Sequence, residues 1–444
     1  MSAGSAPVAL VVDQGTTSVK VALVDGRGRV RARSRTPTPS RRGPAGGVTG
    51  SPEQWWRSVR AAIAGLGDLT PVRVVAVTSF MHTLVPVLAD GGSGTVLLPG
   101  DRRGVPREAE FDAGSPGGRA ALARLAAWAE LGEGRLRAAV PVKDYLRYRL
   151  TGLLGTDPYD AGGAGLQSPA AAALLARLGA QPVPLLAPDA VAGTVTVKAA
   201  RETGLRAGTP VVTGSGDWLV VCLGAQAAFP GRGVLYAGTS AAYGGFADAA
   251  ALAELRDVAC LAVAVGSGAV LEWAAGVFGG PPGEVTDLLE QAAAAPPDAH
   301  GVRFVPRALR AAGSREAVVG QGDLKGLSLA ANRADVARAV MDGVAVWVGD
   351  SVGRILTRRP VDEVLLCGGG AADARFAGLL ADALGRPLTV AADTDLGLVG
   401  LARLGFAGLG EAIDHDPSAG ATVVEPDPVR HAVYVELREE LAGS

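Results

Sequence analysis

The chain has 444 residues, 42 of them lysine or arginine and 44 aspartate or glutamate, for a net charge of −2. That balance leaves no broad basic footprint for nucleic acid or an acidic membrane surface, so any anion has to be bound locally. The length suits two or three domains, and the scattered Cys222, Cys260 and Cys367 exclude a disulfide framework or a zinc site and fit a reducing cytoplasm.

The opening MSAGSAPVALVVDQGTTS has no basic stretch ahead of a long apolar core, because its apolar run stops at Asp13, and no export signal is read there. In ALVVDQGTTSVKVALVDGRGRVRARSR, two apolar runs flank a Gly-Thr-Thr turn and a second turn leads to a third strand, which predicts an antiparallel meander. PEQWWRSVRAAIAGL spaces Trp55, Trp56, Val59, Ile63 and Leu66 as a helix, and VRVVAVTSF is a buried strand followed by Met81 and His82. Residues 119–150 read as helix, stopped by Gly152, and TDPYDAGGAGLQ reads as loop.

TPVVTGSGD is a further strand running into an apolar helix from Asp217 to Phe229, and GVLYAGTSAAYGGF is another hairpin with a glycine-threonine turn. Ala259–Gly280 reaches membrane-spanning length but contains Glu272 and several glycines, which suits strand and turn inside a globular lobe. VDEVLLCGGG and RFAGLLADAL give a strand, a glycine turn and a helix, while residues 36–52 and 291–300 read as loops. Strands alternating with helices point to an α/β protein, with domains at 1–212 and 213–444.

Several residues suit chemistry on a phosphate and a hydroxyl. DQGTTS at 13–18 lies between two strands, where Gly15 permits close backbone approach, threonine hydroxyls can meet phosphate oxygens and Asp13 can hold Mg²⁺ through water. An ordinary hairpin turn accounts for the same string. Gly238, Thr239 and Ser240 form a second such turn, and Gly368–Gly370 suits either backbone beside a nucleotide or a tight strand-to-helix connection. Asp217, after Gly214-Ser215-Gly216, fits both a helix cap and a base that takes a proton during phosphoryl transfer. His82 fits a structural place as well as a substrate contact after a buried strand. No GxxxxGK[ST] string and no nucleophile elbow occur.

Taken in order, these segments resemble the FGGY family of carbohydrate kinases. The likeness runs nearly end to end through DQGTTSVKVALVD, SPEQWW, SFMHTLV, VPVKDYLRYRLTG, TDPYDAGGAGL, GLRAGTPVVTGSGDWLVVCLGA, LYAGTS, GVRFVPRAL, GLSLAANRADVARAVMDGVA and LLCGGGAADARFAGLLADALGRPLTV. It implies an α/β fold of two ribonuclease-H-like lobes of the actin and hexokinase superfamily with an interlobe cleft, and ATP-dependent phosphorylation of a sugar, sugar acid or polyol. Asp217 then matches the catalytic base, and Asp13 the Mg²⁺ carboxylate. Gly15, Thr16, Thr17 and Lys20 match the first phosphate hairpin, Gly238 and Thr239 the second, and Gly368, Gly369 and Gly370 the adenosine site. Met81 and His82 match the pair lining the sugar pocket. Dimers occur in that family, so a homodimer is the assembly the resemblance allows.

Two segments depart from the family pattern. Its Trp-x-Asp-x-Arg string is reduced to LLPGDRRG, which keeps Asp101 and Arg103 on the sugar side and loses the tryptophan, and its Gly-Glu-Arg-x-Pro string is replaced by RALRAAGSREAV. The Arg-Glu pair that glycerol kinases set against glycerol is absent from TSFMHTLV, while Ser79–Thr83 is nearer to the gluconokinase form. The acceptor therefore leans toward a sugar acid or modified sugar, and a non-catalytic relative that binds nucleotide or sugar is the alternative.

Overall fold

The computed structural model describes residues 6–43, 46–238, 240–264, 266–278, 285–296, 298–307, 321–393 and 395–442. Thr239 and residues 308–318 of RALRAAGSREAV lie outside them. The chain divides into two compact units, one running through Gly224 and regaining Gly397–His415, the other holding, among the described residues, 225–307, 321–396 and the segment from Asp416. Sequence put the boundary near 212; the chain leaves the first unit after Gly224, so Asp217 belongs to the first unit.

In the first unit, β1 (Val8–Gln14), β2 (Ser18–Asp25) and β3 (Val30–Pro37) form the predicted antiparallel meander. β1 is apolar on both faces because it is central, whereas β3 alternates exposed Arg31, Arg33 and Arg35 with half-buried residues, as an edge strand does. Helix α1 (Pro52–Ala64) starts on a Ser51 cap and buries Trp55, Trp56, Val59 and Ile63. β4 (Val72–Ser79) pairs parallel with β1, and β5 (Val191–Thr194) and β6 (Pro210–Val212) complete the sheet in the order β5-β6-β4-β1-β2-β3, β6 parallel to β4.

The long helix expected over 119–150 is instead α2 (Pro116–Ala129), a strand at Leu136–Pro141 and α3 (Val142–Thr151), which ends at Gly152 as predicted. Gly132 and Gly134 take positive φ between them, and the strand gains an antiparallel partner in Leu84–Leu88. Within TDPYDAGGAGLQ, α4 (Pro158–Gly163) forms because Asp157 caps it, accepting from the amides of Tyr159 and Asp160. The apolar helix α5 (Asp217–Gly224) stops short of Phe229.

The second unit repeats the sheet plan. β7 (Arg232–Ala237), β8 (Ala241–Phe246) and β9 (Val258–Ala264) form an antiparallel meander, and β10 (Glu363–Cys367), β11 (Leu388–Val390) and β12 (Thr422–Val424) extend it in the order β9-β8-β7-β10-β11-β12. β10 runs parallel to β7, and β11 to β10. The segment read as strand and turn after Ala259 continues as a helix, Ser267–Phe278, whose glycines are tolerated because Val270, Leu271, Ala274 and Ala275 bury a continuous face. Another helix, Val285–Ala293, reaches into the stretch read as loop. Among the described residues no helix is long and apolar enough to cross a membrane.

A fully buried ionic cluster ties α3 and α4 to the sheet of the first unit. The Lys143 ammonium lies 2.9 Å from Asp144 and 2.9 Å from Asp157, and Arg147 reaches Asp144 at 3.2 Å and the Gly155 carbonyl at 2.6 Å, all four side chains fully buried. Ser215 Oγ donates to Asp157 at 2.8 Å, the Lys143 amide to Ser79 Oγ at 2.9 Å, and Thr78 Oγ1 to the Ser215 carbonyl at 2.6 Å. Burial opposes the charge on Lys143, but Asp144, Asp157 and Asp160 outweigh it and hold its pKa well above the usual lysine range. Removing one partner of such a cluster strands buried charge. Lys143→Met is therefore expected to lower unfolding stability by about 3–5 kcal/mol, read from urea denaturation midpoints; a loss within experimental error would show that the cluster does not hold this unit together.

Candidate active site

The carboxyl ends of three neighbouring parallel strands, β1, β4 and β6, bring the first group of residues together. Asp13 stands opposite Thr78 in the β1–β4 register, Ser79 ends β4 and bridges to Gly216 beyond β6, and Asp217 follows. Open α/β sheets present ligand-binding groups at this edge. Asp217 is partly exposed, and its Oδ1 accepts from the Trp218 amide at 2.9 Å. Burial first, and then the Asp13 carboxylate, push the Asp217 carboxyl up to about 7.

The turn after β1 closes through the Gly15 amide, which donates to the Ser18 carbonyl at 2.9 Å and leaves Thr16 and Thr17 exposed. Lys20, in register with Asp13 across the hairpin, has its ammonium 3.9 Å from the Asp13 carboxylate. Both groups sit at the edge that holds Asp217.

His82 takes φ 61°, in the left-handed region. Its Nδ1 lies 2.7 Å from the Gly163 carbonyl, and since a carbonyl only accepts, Nδ1 carries the proton in that bond. The ring fits because Gly117 lacks a Cβ, which would meet Nδ1 at 2.4 Å, and Met81 fits because Gly163 lacks one, which would meet its Cε at 2.6 Å. Met81 also packs on Gly216, so α4 and the Gly214–Asp217 loop share one wall. Arg124, 6 % exposed on α2, donates to the His82 carbonyl at 2.6 Å.

Asp101 and Arg103 lie in a network of their own. The fully buried Asp101 carboxylate accepts from Arg103 Nε and Nη2 at 2.9 and 2.6 Å, from the Arg103 amide and from the Val48 amide at 2.8 Å. The adjoining Gly104 packs against Arg124, where a Cβ would meet Cγ at 2.9 Å.

In the second unit, the Tyr236–Cys367 register sets Ala237, the residue before Gly238, beside Gly368 at the carboxyl ends of β7 and β10. The Gly238 amide donates to the Ser240 carbonyl at 3.1 Å. Gly368 has φ 93° and lies so near β7 that a Cβ would stand 2.5 Å from the Ala237 carbonyl oxygen, which only glycine accommodates. Gly369 is exposed with open space about its Cα, and Gly370 follows it into the 3₁₀ turn Gly369–Ala372. Thr239 is outside the described residues.

Sequence reasoning singled out no role for Lys143, Asp144, Asp157, Asp160 or Arg124. Asp160 is fully buried with neither carboxyl oxygen hydrogen-bonded among the described residues. Burial, and then the carboxylates of Asp157, Asp144 and Asp217 against the pull of Lys143, raise its pKa well above the usual range. The available signal was the dense charge in VKDYLRYR, where four charged residues fall inside a helix with apolar neighbours.

The model of the FGGY family of carbohydrate kinases, N-terminal domain, matches residues 8–92, and that of its C-terminal domain matches 173–409. The chain is 26 % identical over 477 residues to a xylulose kinase of Escherichia coli (strain K12), with 96 % of each covered, and 32 % identical over 268 residues to a xylulose kinase of Streptomyces rubiginosus, with 54 % of each covered. Its fold is similar to that of a gluconate kinase from Lactobacillus acidophilus (TM-score 0.79, 20 % identity, 98 % and 97 % covered) and of a Plasmodium falciparum glycerol kinase with ADP (TM-score 0.74, 14 % identity, 99 % and 98 % covered). With both family domains matched in sequence and the fold shared along nearly the whole chain, this protein belongs to the FGGY family of carbohydrate kinases, enzymes that phosphorylate a hydroxyl of a sugar, sugar acid or polyol with ATP.

Proposed function

We propose that the chain uses Asp217 as the base that activates the acceptor hydroxyl, with a neutral ketose as the first acceptor to test. The observation that carries this is a partly exposed carboxyl at a strand end whose pKa is raised to about 7, so that it can both receive a proton and release it near neutral pH. The ionised Asp217 takes the hydroxyl proton as the acceptor oxygen bonds to the γ-phosphorus. The bond from that phosphorus to the bridging oxygen breaks, ADP keeps the electron pair, and Asp217 later gives the proton to water. His82, with Nδ1–H committed to Gly163, has Nε2 for an acceptor hydroxyl, and Met81 supplies apolar contact. The xylulose kinases among the relatives favour a ketose over the sugar acid that the Met-His segment suggested.

Asp13 suits Mg²⁺: it is partly exposed, and its repulsion of Asp217 is the kind of negative field that a cation relieves. Mg²⁺ needs only one or two carboxylates when phosphates and water complete its shell. When bound it neutralises charge on the phosphates of ATP. Gly15, Thr16, Thr17 and Lys20 then serve phosphate oxygens in the first unit, Gly238 and Thr239 do so in the second, and Gly368–Gly370 lies along the nucleoside. Asp101 and Arg103, joined to each other, frame the acceptor side through Gly104 and Arg124.

Purified protein with Mg-ATP, D-xylulose and a panel of aldonates and polyols tests the reading. Acceptor-dependent ADP release is expected, with Asp217→Asn lowering kcat by about 10²–10⁴-fold while calorimetric affinity for Mg-ATP persists; equal ADP release without acceptor would sink it.

The pH dependence is signed by the same group. Asp217 works ionised, so kcat/KM for the acceptor should fall roughly tenfold per pH unit below its pKa, which is about 7 with Asp13 bare and lower once a cation there relieves the repulsion, and level off above it. A flat profile from pH 5 to 8 would remove Asp217 from the role of base.

A further inference from the structure

The reading of His82 as an acceptor contact leaves open what holds this residue in a backbone conformation that non-glycine residues seldom adopt. The ring has one anchor, Nδ1–H on the Gly163 carbonyl at 2.7 Å. The backbone has another, since Arg124 Nη2 donates to the His82 carbonyl at 2.6 Å. Both the arginine and the glycine on which the ring rests belong to α2. Gly117 and Arg124 are two helical turns apart and so share one face, so a single helix meets His82 at its ring and at its carbonyl. A guanidinium stays charged at any working pH, which makes this a constant, charge-assisted bond to a backbone oxygen.

We propose that Arg124 is a positioning residue for acceptor recognition: by holding the His82 carbonyl it fixes the backbone turn that keeps Nδ1–H on Gly163 and Nε2 free for an acceptor hydroxyl. This inference rests on the proposed role of His82. It also gives the altered LLPGDRRG segment a route to the pocket. Asp101 clamps Arg103, Gly104 packs on the Arg124 side chain, and Arg124 reaches His82, so the segment acts on the acceptor site through the arginine. Without the guanidinium, the His82 carbonyl loses its donor and the left-handed turn loses what offsets its strain, and the ring is released to exchange tautomers.

The test compares Arg124→Met, which keeps length but no donor, Arg124→Lys, His82→Ala and the His82→Ala/Arg124→Met double variant. Long-range ¹H–¹⁵N spectra of the ¹⁵N-labelled full chain read the imidazole tautomers without any acceptor, and the signals missing from His82→Ala identify His82. Wild type is expected to show Nδ1–H alone, Arg124→Met a tautomer mixture, and Arg124→Lys an intermediate state. In kinetics with D-xylulose, Arg124→Met should raise the acceptor KM by about tenfold, leave the Mg-ATP KM within about twofold, and add less than about twofold in the His82→Ala background. Wild-type tautomer and acceptor KM in Arg124→Met overturn the proposal, as does an equal loss in the His82→Ala background. If Arg124→Met does not fold, Arg124→Lys decides: a raised acceptor KM with unchanged Mg-ATP KM supports the proposal, and wild-type values overturn it. Failure of the underlying reading looks different, because His82→Ala would then leave acceptor kinetics unchanged. An impaired His82→Ala beside a wild-type Arg124→Met removes the role of Arg124 alone.

Discussion

The first unit is organised around the buried ammonium of Lys143, which holds two carboxylates and so joins two helices to the ends of two strands. Charge this deep is costly to desolvate and tolerable only where opposite charge and hydrogen bonds offset that cost. Here the cluster contains three carboxyls, Asp144, Asp157 and Asp160, against two cations, Lys143 and Arg147. Asp160, without a hydrogen-bond partner on either oxygen among the described residues, is the acid whose pKa burial and the neighbouring carboxylates raise. Asp157 carries the consequence outward: with one oxygen it caps α4 and holds Ser215, so the loop leading to Asp217 is fixed by the same carboxylate that shapes the wall behind Met81 and His82.

The base proposed here, Asp217, needs a raised pKa and a fixed place, and these come from different parts of the fold. The pKa of Asp217 is set at the sheet edge, by burial and by Asp13 on the central strand. Its place is set from behind, by Thr78 and Asp157 gripping Ser215 from two sides. Separating the two functions lets the carboxylate stay partly exposed while its backbone is rigid, as a group that must meet a substrate and then release its proton requires.

What was legible in the sequence was local. The meander from Val8 to Pro37, the paired hairpin turns at Gly15 and Gly238, the helix stop at Gly152 and the strand-glycine-helix passage at Gly368 are each written in a few consecutive residues, because turn chemistry and strand alternation are short-range effects. Residues 119–150 read as one helix in the sequence and do not form one, because the strand Leu136–Pro141 owes its form to a partner some fifty residues earlier, Leu84–Leu88, and tertiary pairing overrides propensity. α4 was hidden by glycines that weaken a helix, and it forms because Asp157 both caps it and receives Lys143. The cluster itself was out of reach, since Ser215 and Asp157 are 58 positions apart and Lys143 and Ser79 are 64 apart. Likewise nothing near Arg124 in the sequence names the His82 carbonyl as its partner.

The two units share one sheet plan and differ in what stands at the strand ends, and that difference is chemical. In each, a meander of three antiparallel strands is extended by parallel strands and closed by an antiparallel one. Aligning the turns at Gly15 and Gly238 sets Asp13 against Tyr236 and Thr78 against Cys367, because the parallel registers pair Asp13 with Thr78 and Tyr236 with Cys367. The first unit therefore ends its central strands in a carboxylate and then in Ser79-Phe-Met-His82, groups suited to a cation and to hydroxyls. The second ends the matching strands in an aromatic residue and then in three glycines, one of them pressed against its neighbour's backbone and the next open to solvent. A backbone stripped of side chains offers amide donors and a flat surface to a nucleotide and no competing charge. The same topology thus yields a polar, acid-bearing edge in one unit and a bare backbone edge in the other, so it is the strand-end residues, and not the sheet plan, that set the two units apart.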